Sequence, residues 1–190
     1  MTGNQAASLK KLGIFNLNQA KRLGFDQPTV SRLVKAGELN RVGRGLYMHP
    51  KAPVGREFGF QLACAKFGPE AAVGGLSALF YYNLIEQVPQ QTWVLVPPST
   101  VSRERGYRLM RTKTDLNAFI LSKDSYRIVT IERAIVEGLR FATKIGERTA
   151  IGAAKRAISQ KLTTMQKIGK AAKDLGLTAA VDNFFEAIVA

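Results

Sequence analysis

The chain has 190 residues, 46% hydrophobic and 22% charged, with 28 Lys and Arg against 14 Asp and Glu for a formal net charge of +14. That apolar share can bury a core, so the surplus charge belongs to a folded protein rather than a disordered basic tail, and it points to a polyanionic partner. A lone cysteine, Cys64, and a lone histidine, His49, exclude an internal disulfide and the usual zinc ligand sets within one chain.

The surplus is patterned along the chain. Residues 1–50 carry +6, residues 51–100 no net charge, residues 101–150 +5 and residues 151–190 +3. The uncharged run Ala71–Ile85 is too short to cross a bilayer and is broken by Gly74, Gly75, Ser77 and Asn83. The segment after Lys10 and Lys11 lacks the apolar stretch and cleavage site of a secretory signal, so a cytoplasmic protein with no membrane partner is expected.

In chain order, Asn16 is a suitable N-cap for a first short helix that turns Leu17, Ala20 and Leu23 inward and stops at Gly24. Asp26 can cap a second helix, with Pro28 at an early position where no backbone N–H is needed and Gly37 as its end. Two capped helices joined by a tight turn make a helix-turn-helix. In the second helix Val30, Leu33 and Val34 form one apolar face, while Arg32 and Lys35 point away from it with Thr29 and Ser31 on the flanks. Guanidinium, ammonium and hydroxyl groups, together with Gln27 at the helix start, are the groups that read base edges and phosphates. The strands LNRV and LYMH around Gly43, Arg44 and Gly45 then read as a β-hairpin with Arg44 at its tip and Arg41 on its first strand. Gln27, Thr29, Ser31, Arg32, Lys35, Arg41 and Arg44 are therefore the candidate DNA-binding residues.

Beyond residue 50, REFGFQLACAKF has helical spacing and is stopped by Gly68 and Pro69, and a further helix covers Gly75–Tyr82. QTWVLV, YRLMRT and YRIVT read as strands. From Thr130 the pattern is helical again, through IERAIVEGLRFA, AIGAAKRAISQ, TMQKIGKAAKDL and AAVDNFFEAIVA. The expected fold class is α+β and mainly helical. A winged helix-turn-helix over residues 1–50 precedes a C-terminal domain over 51–190, mixed α/β over 51–129 and helical over 130–190.

These blocks resemble a known family. The helix-turn-helix, RLVKAGELNRVGRGLYMHP, GGLSALFYYNLIEQVPQQTWVLVPPS and YRIVTIERAIVEGL look like the AbiEi-type antitoxins of bacterial abortive-infection toxin–antitoxin systems. The resemblance implies a winged helix-turn-helix that represses its own operon by binding inverted repeats. It also implies a C-terminal domain that counteracts a nucleotidyltransferase-like toxin in a type IV system, without requiring a stable complex. The recognition-helix positions fall on Gln27–Ala36, the wing on Leu39–His49, and the family's Gly-Leu-Tyr block on Gly45, Leu46 and Tyr47. The chain departs from the pattern in having Gly75 and Leu76 where a histidine often precedes the Ser77-Ala78 pair, and Glu137 near the place of an aspartate.

Enzymatic alternatives find little support among the residues. A Ser-His-Asp hydrolase would have to use His49, at the base of the wing. No acidic residue is followed two places later by lysine, as in many metal-dependent nucleases, and solvated or salt-bridged roles suit Glu132, Glu137, Asp115 and Asp124 better than metal ligation. Neither glycine pair has the spacing of a phosphate loop, so no catalytic residue, metal or cofactor is expected. Cys64 reads as a small buried hydrophobe and Trp93 as core. Two basic groups lack an assignment: Arg103, Arg105, Arg108, Arg111 and Lys113, and then Lys155, Arg156, Lys161, Lys167, Lys170 and Lys173 on the late helices. Either could face nucleic acid or a toxin. A nucleic-acid-processing enzyme or an RNA-binding module using the same faces remains the alternative reading.

Overall fold

The computed structural model describes residues 3–189. The chain divides into two compact units, one running to Pro69 and taking in Asp124–Tyr126, the other formed by Glu70–Lys123 and the chain from Arg127 onward.

The first unit contains α1 (Gly3–Leu12), β1 (Ile14–Asn16), α2 (Leu17–Arg22), α3 (Gln27–Lys35), β2 (Asn40–Gly43), β3 (Leu46–Met48) and α4 (Phe58–Phe67). Its sheet runs in the order β1-β3-β2 with antiparallel neighbours. Each helix of the helix-turn-helix is fixed at both ends by its own sequence. At the start of α2, Gln19 N–H donates to Asn16 Oδ1 at 3.0 Å and Asn16 N–H donates to Gln19 Oε1 at 2.9 Å, a reciprocal capping box. At its end Gly24 takes φ +84°, and the N–H groups of Gly24 and Phe25 donate to the carbonyls of Lys21 and Ala20. The end of α3 repeats this arrangement at Gly37, φ +72°, where Gly37 and Glu38 donate to Val34 and Leu33. Both are Schellman closures, and glycine reaches the left-handed region there without steric cost. Around these turns Leu9, Phe15, Ala20, Phe25, Val30, Leu33 and Leu39 form one buried cluster, which Tyr47 of β3 flanks.

Two elements of this unit, α1 and β1, are not among the sequence expectations. Of α1, Leu9 is fully buried, and β1 is too short to show an alternation. The unit also passes the boundary expected at residue 50. Phe58, Leu62 and Ala65 of α4 pack on Ile14, Leu46, Met48 and Ala52, so this helix completes the underside of the wing sheet. It begins at Phe58 rather than Arg56.

The second unit holds β4 (Ala72–Val73), α5 (Gly75–Tyr81), β5 (Thr92–Val96), β6 (Tyr107–Arg111), β7 (Ile120–Ser122), β8 (Arg127–Val129), α6 (Ile131–Arg140), α7 (Ala142–Ile145), α8 (Glu147–Ser159), α9 (Met165–Asp174), α10 (Thr178–Asp182) and α11 (Phe185–Val189). Its mixed sheet runs β6-β5-β4-β8-β7, with β5/β6 and β4/β8 parallel and β4/β5 and β7/β8 antiparallel. The helix expected over 179–190 is instead two short helices, α10 and α11, with Ala190 outside the described residues. The mixed α/β stretch and the helical stretch form one unit because α6 packs on α5, α8, α9 and α10. Residues 133–139 are all buried, so α6 is enclosed on every side.

Gly75 opens α5 at φ +50°, and a Cβ there would lie 2.6 Å from Trp93 Cε3 and 2.7 Å from Met110 Sδ. Gly75→Ala is therefore expected to lower stability by about 1–3 kcal/mol. Gly152→Ala, where an added Cβ meets nothing within 4 Å, is expected to be neutral or to stabilise by up to about 1 kcal/mol. Urea unfolding of the two variants checks the pair, and an unchanged midpoint for Gly75→Ala contradicts the packing argument.

Candidate nucleic-acid interface

Helix α3 is divided by burial. Val30 and Leu33 are buried and Val34 half-buried, while Gln27, Ser31, Arg32 and Lys35 are exposed and Thr29 is half-buried. The apolar side chains anchor the helix in the helix-turn-helix cluster. The exposed ones leave its other face rich in hydrogen-bond donors. Asp26 Oδ1 accepts from Thr29 N–H at 2.9 Å, and Pro28 sits in the first turn. The Thr29 hydroxyl and N–H hold the Asp26 carboxyl below its ordinary value of 3.8. Thr29 thus leans on the cap as well as flanking the exposed face.

The hairpin follows directly from the Gly37 turn. Arg44 and Gly45 form its tip, with Gly45 at φ +71° and both residues exposed. Arg41 pairs with Tyr47 across the strands, and the register shifts between Arg41 and Gly43. Arg41 Nε donates to Gly43 O at 3.4 Å, so this side chain curls along its own strand, whereas Arg44 is exposed at the turn. At the base of the hairpin His49 Nδ1 accepts from Lys51 N–H at 3.1 Å, which gives His49 a turn-forming role.

Helix, strand, two helices and a hairpin, in that order and around one core, make a winged helix-turn-helix. Residues 5–50 match the family model described as "Transcriptional regulator, AbiEi antitoxin". This N-terminal region is similar to that of the AbiEi antitoxin regulators. The match spans about a quarter of the chain and ends two residues beyond β3. No curated protein matches the chain.

Outside the AbiEi-type region the two further basic groups lie in the second unit and behave differently from one another. Arg103, Arg105, Arg108, Arg111 and Lys113 are exposed on and beside β6, an edge strand. Arg108 lies 5.8 Å over the Trp93 ring, and Arg111 Nε donates to Thr100 O at 2.8 Å. Lys167, Lys170 and Lys173 share one exposed face of α9, opposite the buried Ile168, Ala171 and Ala172. Lys155 is exposed on α8 and Lys161 lies in the turn after it. Arg156 is tied to Glu86 at 3.2 Å. Among the described residues no group of three or more His, Cys, Asp and Glu could hold a metal ion, and no helix is long and apolar enough to cross a membrane.

Sequence reasoning missed the buried charges of α6. Glu137, expected to be solvated or salt-bridged, is salt-bridged but fully buried: its side chain and that of Arg133 are 0% exposed and 3.7 Å apart, and Arg140 Nη1 donates to Glu137 Oε2 at 3.2 Å. Arg133 also donates to the Asp115 carbonyl at 2.6 Å, to the Ala118 carbonyl and to Thr114 Oγ1 at 2.8 Å, while Arg140 reaches Thr112 Oγ1 at 3.0 Å. The network stitches the 112–118 segment to α6. Burial pushes the Glu137 carboxyl up, against the downward pull of Arg140 and Arg133. Glu132, the other carboxylate of the helix, accepts from the Thr163 hydroxyl at 2.8 Å.

Glu137→Ala leaves Arg133 buried without its countercharge and is expected to cost about 3–5 kcal/mol. Glu137→Gln, which keeps the shape, is expected to cost less. Chemical unfolding measures both, and a wild-type midpoint for Glu137→Ala contradicts the assignment. The cap at Asp26 makes a pH-dependent contribution of definite sign. A carboxyl lowered on folding stabilises above its unfolded value, and that contribution is lost as pH falls through the folded value. Asp26→Asn keeps a capping side chain and is expected to remove this part of the acid sensitivity of the first unit, read by amide hydrogen exchange in α3 between neutral and acid pH.

Proposed function

We propose that the chain is a DNA-binding autorepressor and antitoxin. It places α3 in the major groove and the Arg44 wing against the adjacent backbone or groove, and it counteracts a nucleotidyltransferase-like toxin through the chain beyond residue 50. The observation that carries the DNA-binding part is the division of α3, with Val30 and Leu33 in the core and Gln27, Ser31, Arg32 and Lys35 exposed on a helix fixed at both ends. In this reading Arg32 reads a guanine edge, and Gln27, Thr29, Ser31 and Lys35 contact bases or phosphates beside it. Arg41 and Arg44 neutralise phosphates from the wing. One winged domain covers a short site, so two copies occupy an inverted repeat in the promoter of the chain's own operon. The antitoxin part rests on the family match at residues 5–50 and on the resemblance of the later sequence blocks.

Binding of the full chain to its upstream DNA, followed by fluorescence anisotropy over a salt series, tests the DNA-binding roles. Arg32→Ala is expected to lose about 1–3 kcal/mol of discrimination at one base pair, relaxing sequence preference there. Arg44→Ala is expected to weaken all sequences alike and to reduce the salt slope by about one. Wild-type affinity, preference and salt slope in both variants overturn the reading. For the antitoxin part, co-expression with the neighbouring gene product is expected to restore growth, and continued growth arrest despite soluble chain contradicts it.

A further inference from the structure

A cleft of about 280 Å³ in the second unit lies between the segment after α5 and the outer face of α8. Its floor is apolar, formed in part by Ile85 and Ala153, 8% and 1% exposed. Gly152 leaves a gap in its wall, because an added Cβ there would meet nothing within 4 Å. Two guanidinium groups border this gap. Arg148 is exposed and makes no hydrogen bond or ion pair among the described residues, and Arg156 holds Glu86 Oε1 at 3.2 Å.

We propose that this cleft binds an acidic peptide segment of a partner protein, a glutamate or aspartate flanked by an aliphatic side chain. Glu86 shows the chemistry required, since its carboxylate already occupies one of the two arginines. That side chain is 89% exposed, and an exposed ion pair contributes little, so an incoming carboxylate displaces it readily. Arg148 supplies a second positive group with nothing of its own to neutralise it, and the gap at Gly152 admits the aliphatic neighbour onto the Ile85 and Ala153 floor. A nucleic-acid backbone suits the cleft less well. Its phosphates gain nothing from an apolar floor, whereas the aliphatic neighbour of a peptide carboxylate is buried on it. The cleft lies in the second unit, so this site does not depend on the DNA-reading role of α3.

A short dye-labelled peptide of alternating leucine and glutamate, titrated with the full chain, tests the proposal beside its leucine-glutamine counterpart and a single-stranded DNA of equal length. Only the glutamate peptide is expected to be sensitive to the cleft. Arg148→Ala and Arg156→Ala are each expected to weaken it about tenfold. Glu86→Gln, which frees Arg156, is expected to strengthen binding roughly twofold. Gly152→Phe fills the gap without changing the charge and is expected to abolish binding while circular dichroism and the unfolding midpoint confirm an intact fold. Equal binding of the two peptides, full binding by a folded Gly152→Phe variant, no binding by the wild type, or loss of DNA binding with the same variants overturns the proposal.

Discussion

Val30 and Leu33 are 1% and 4% exposed, and a nine-residue helix that buries them has one way to orient its other side chains. At about 100° per residue, anchoring that face in the cluster with Phe15, Phe25 and Leu39 turns Arg32 and Lys35 outward. The caps make the constraint local. Asp26 starts the helix at one residue, Gly37 ends it, and the Gly24 closure sets the angle at which the chain enters. The hairpin begins three residues beyond Gly37, so the position of the wing follows from the same packing decision. The exposed chemistry of this region is thus a consequence of how its apolar residues are buried.

The second unit is organised around a different necessity. A helix enclosed on all sides has no solvent face for its polar residues, and α6 nevertheless carries Arg133 and Glu137 in its buried stretch. Each supplies part of what the other lacks, and the carbonyls of Asp115 and Ala118 with the hydroxyl of Thr114 take up most of the remaining donors of Arg133, while Arg140 donates to the hydroxyl of Thr112. Among the described residues, the buried atoms Arg133 Nε and Glu137 Oε1 have no hydrogen-bond partner. Buried ion pairs of this kind contribute little net stability but are costly to break singly. Their effect is to fix one arrangement of the segment between β6 and β7 against α6.

This contrast explains what could be read from the sequence. The helix-turn-helix and its hairpin are written in local signals, with Asn16, Gly24, Asp26, Pro28, Gly37 and Gly45 each at the position where backbone geometry requires such a residue. The strands β1 and β4 are only three and two residues long and exist through partners far away in the chain, as when Val73 pairs with both Val94 and Ile128. No periodicity can reveal them. The charges of α6 look like surface charges because their partners come from residues 112–118, and Arg156 reads as one member of a basic stripe because Glu86 lies 70 residues away. The polar residues at 133, 137 and 140, spaced about one turn apart among Ala134, Ile135, Val136 and Leu139, were the available sign of an internal network. For the candidate interface, the residue types and their order were legible, while the curl of Arg41 along its own strand and the engagement of Thr29 with Asp26 required coordinates.

The proposed DNA recognition rests on a helix and a hairpin of the first unit rather than on the general positive charge of the chain. DNase footprinting of the full chain on the DNA upstream of its own gene tests this most directly, using wild type beside an Arg32→Ala, Arg44→Ala double variant of unchanged circular dichroism. The expected result is protection of an inverted repeat by the wild type and loss of that protection in the variant. A footprint of the same extent and strength from both proteins would contradict a reading role for α3 and the wing.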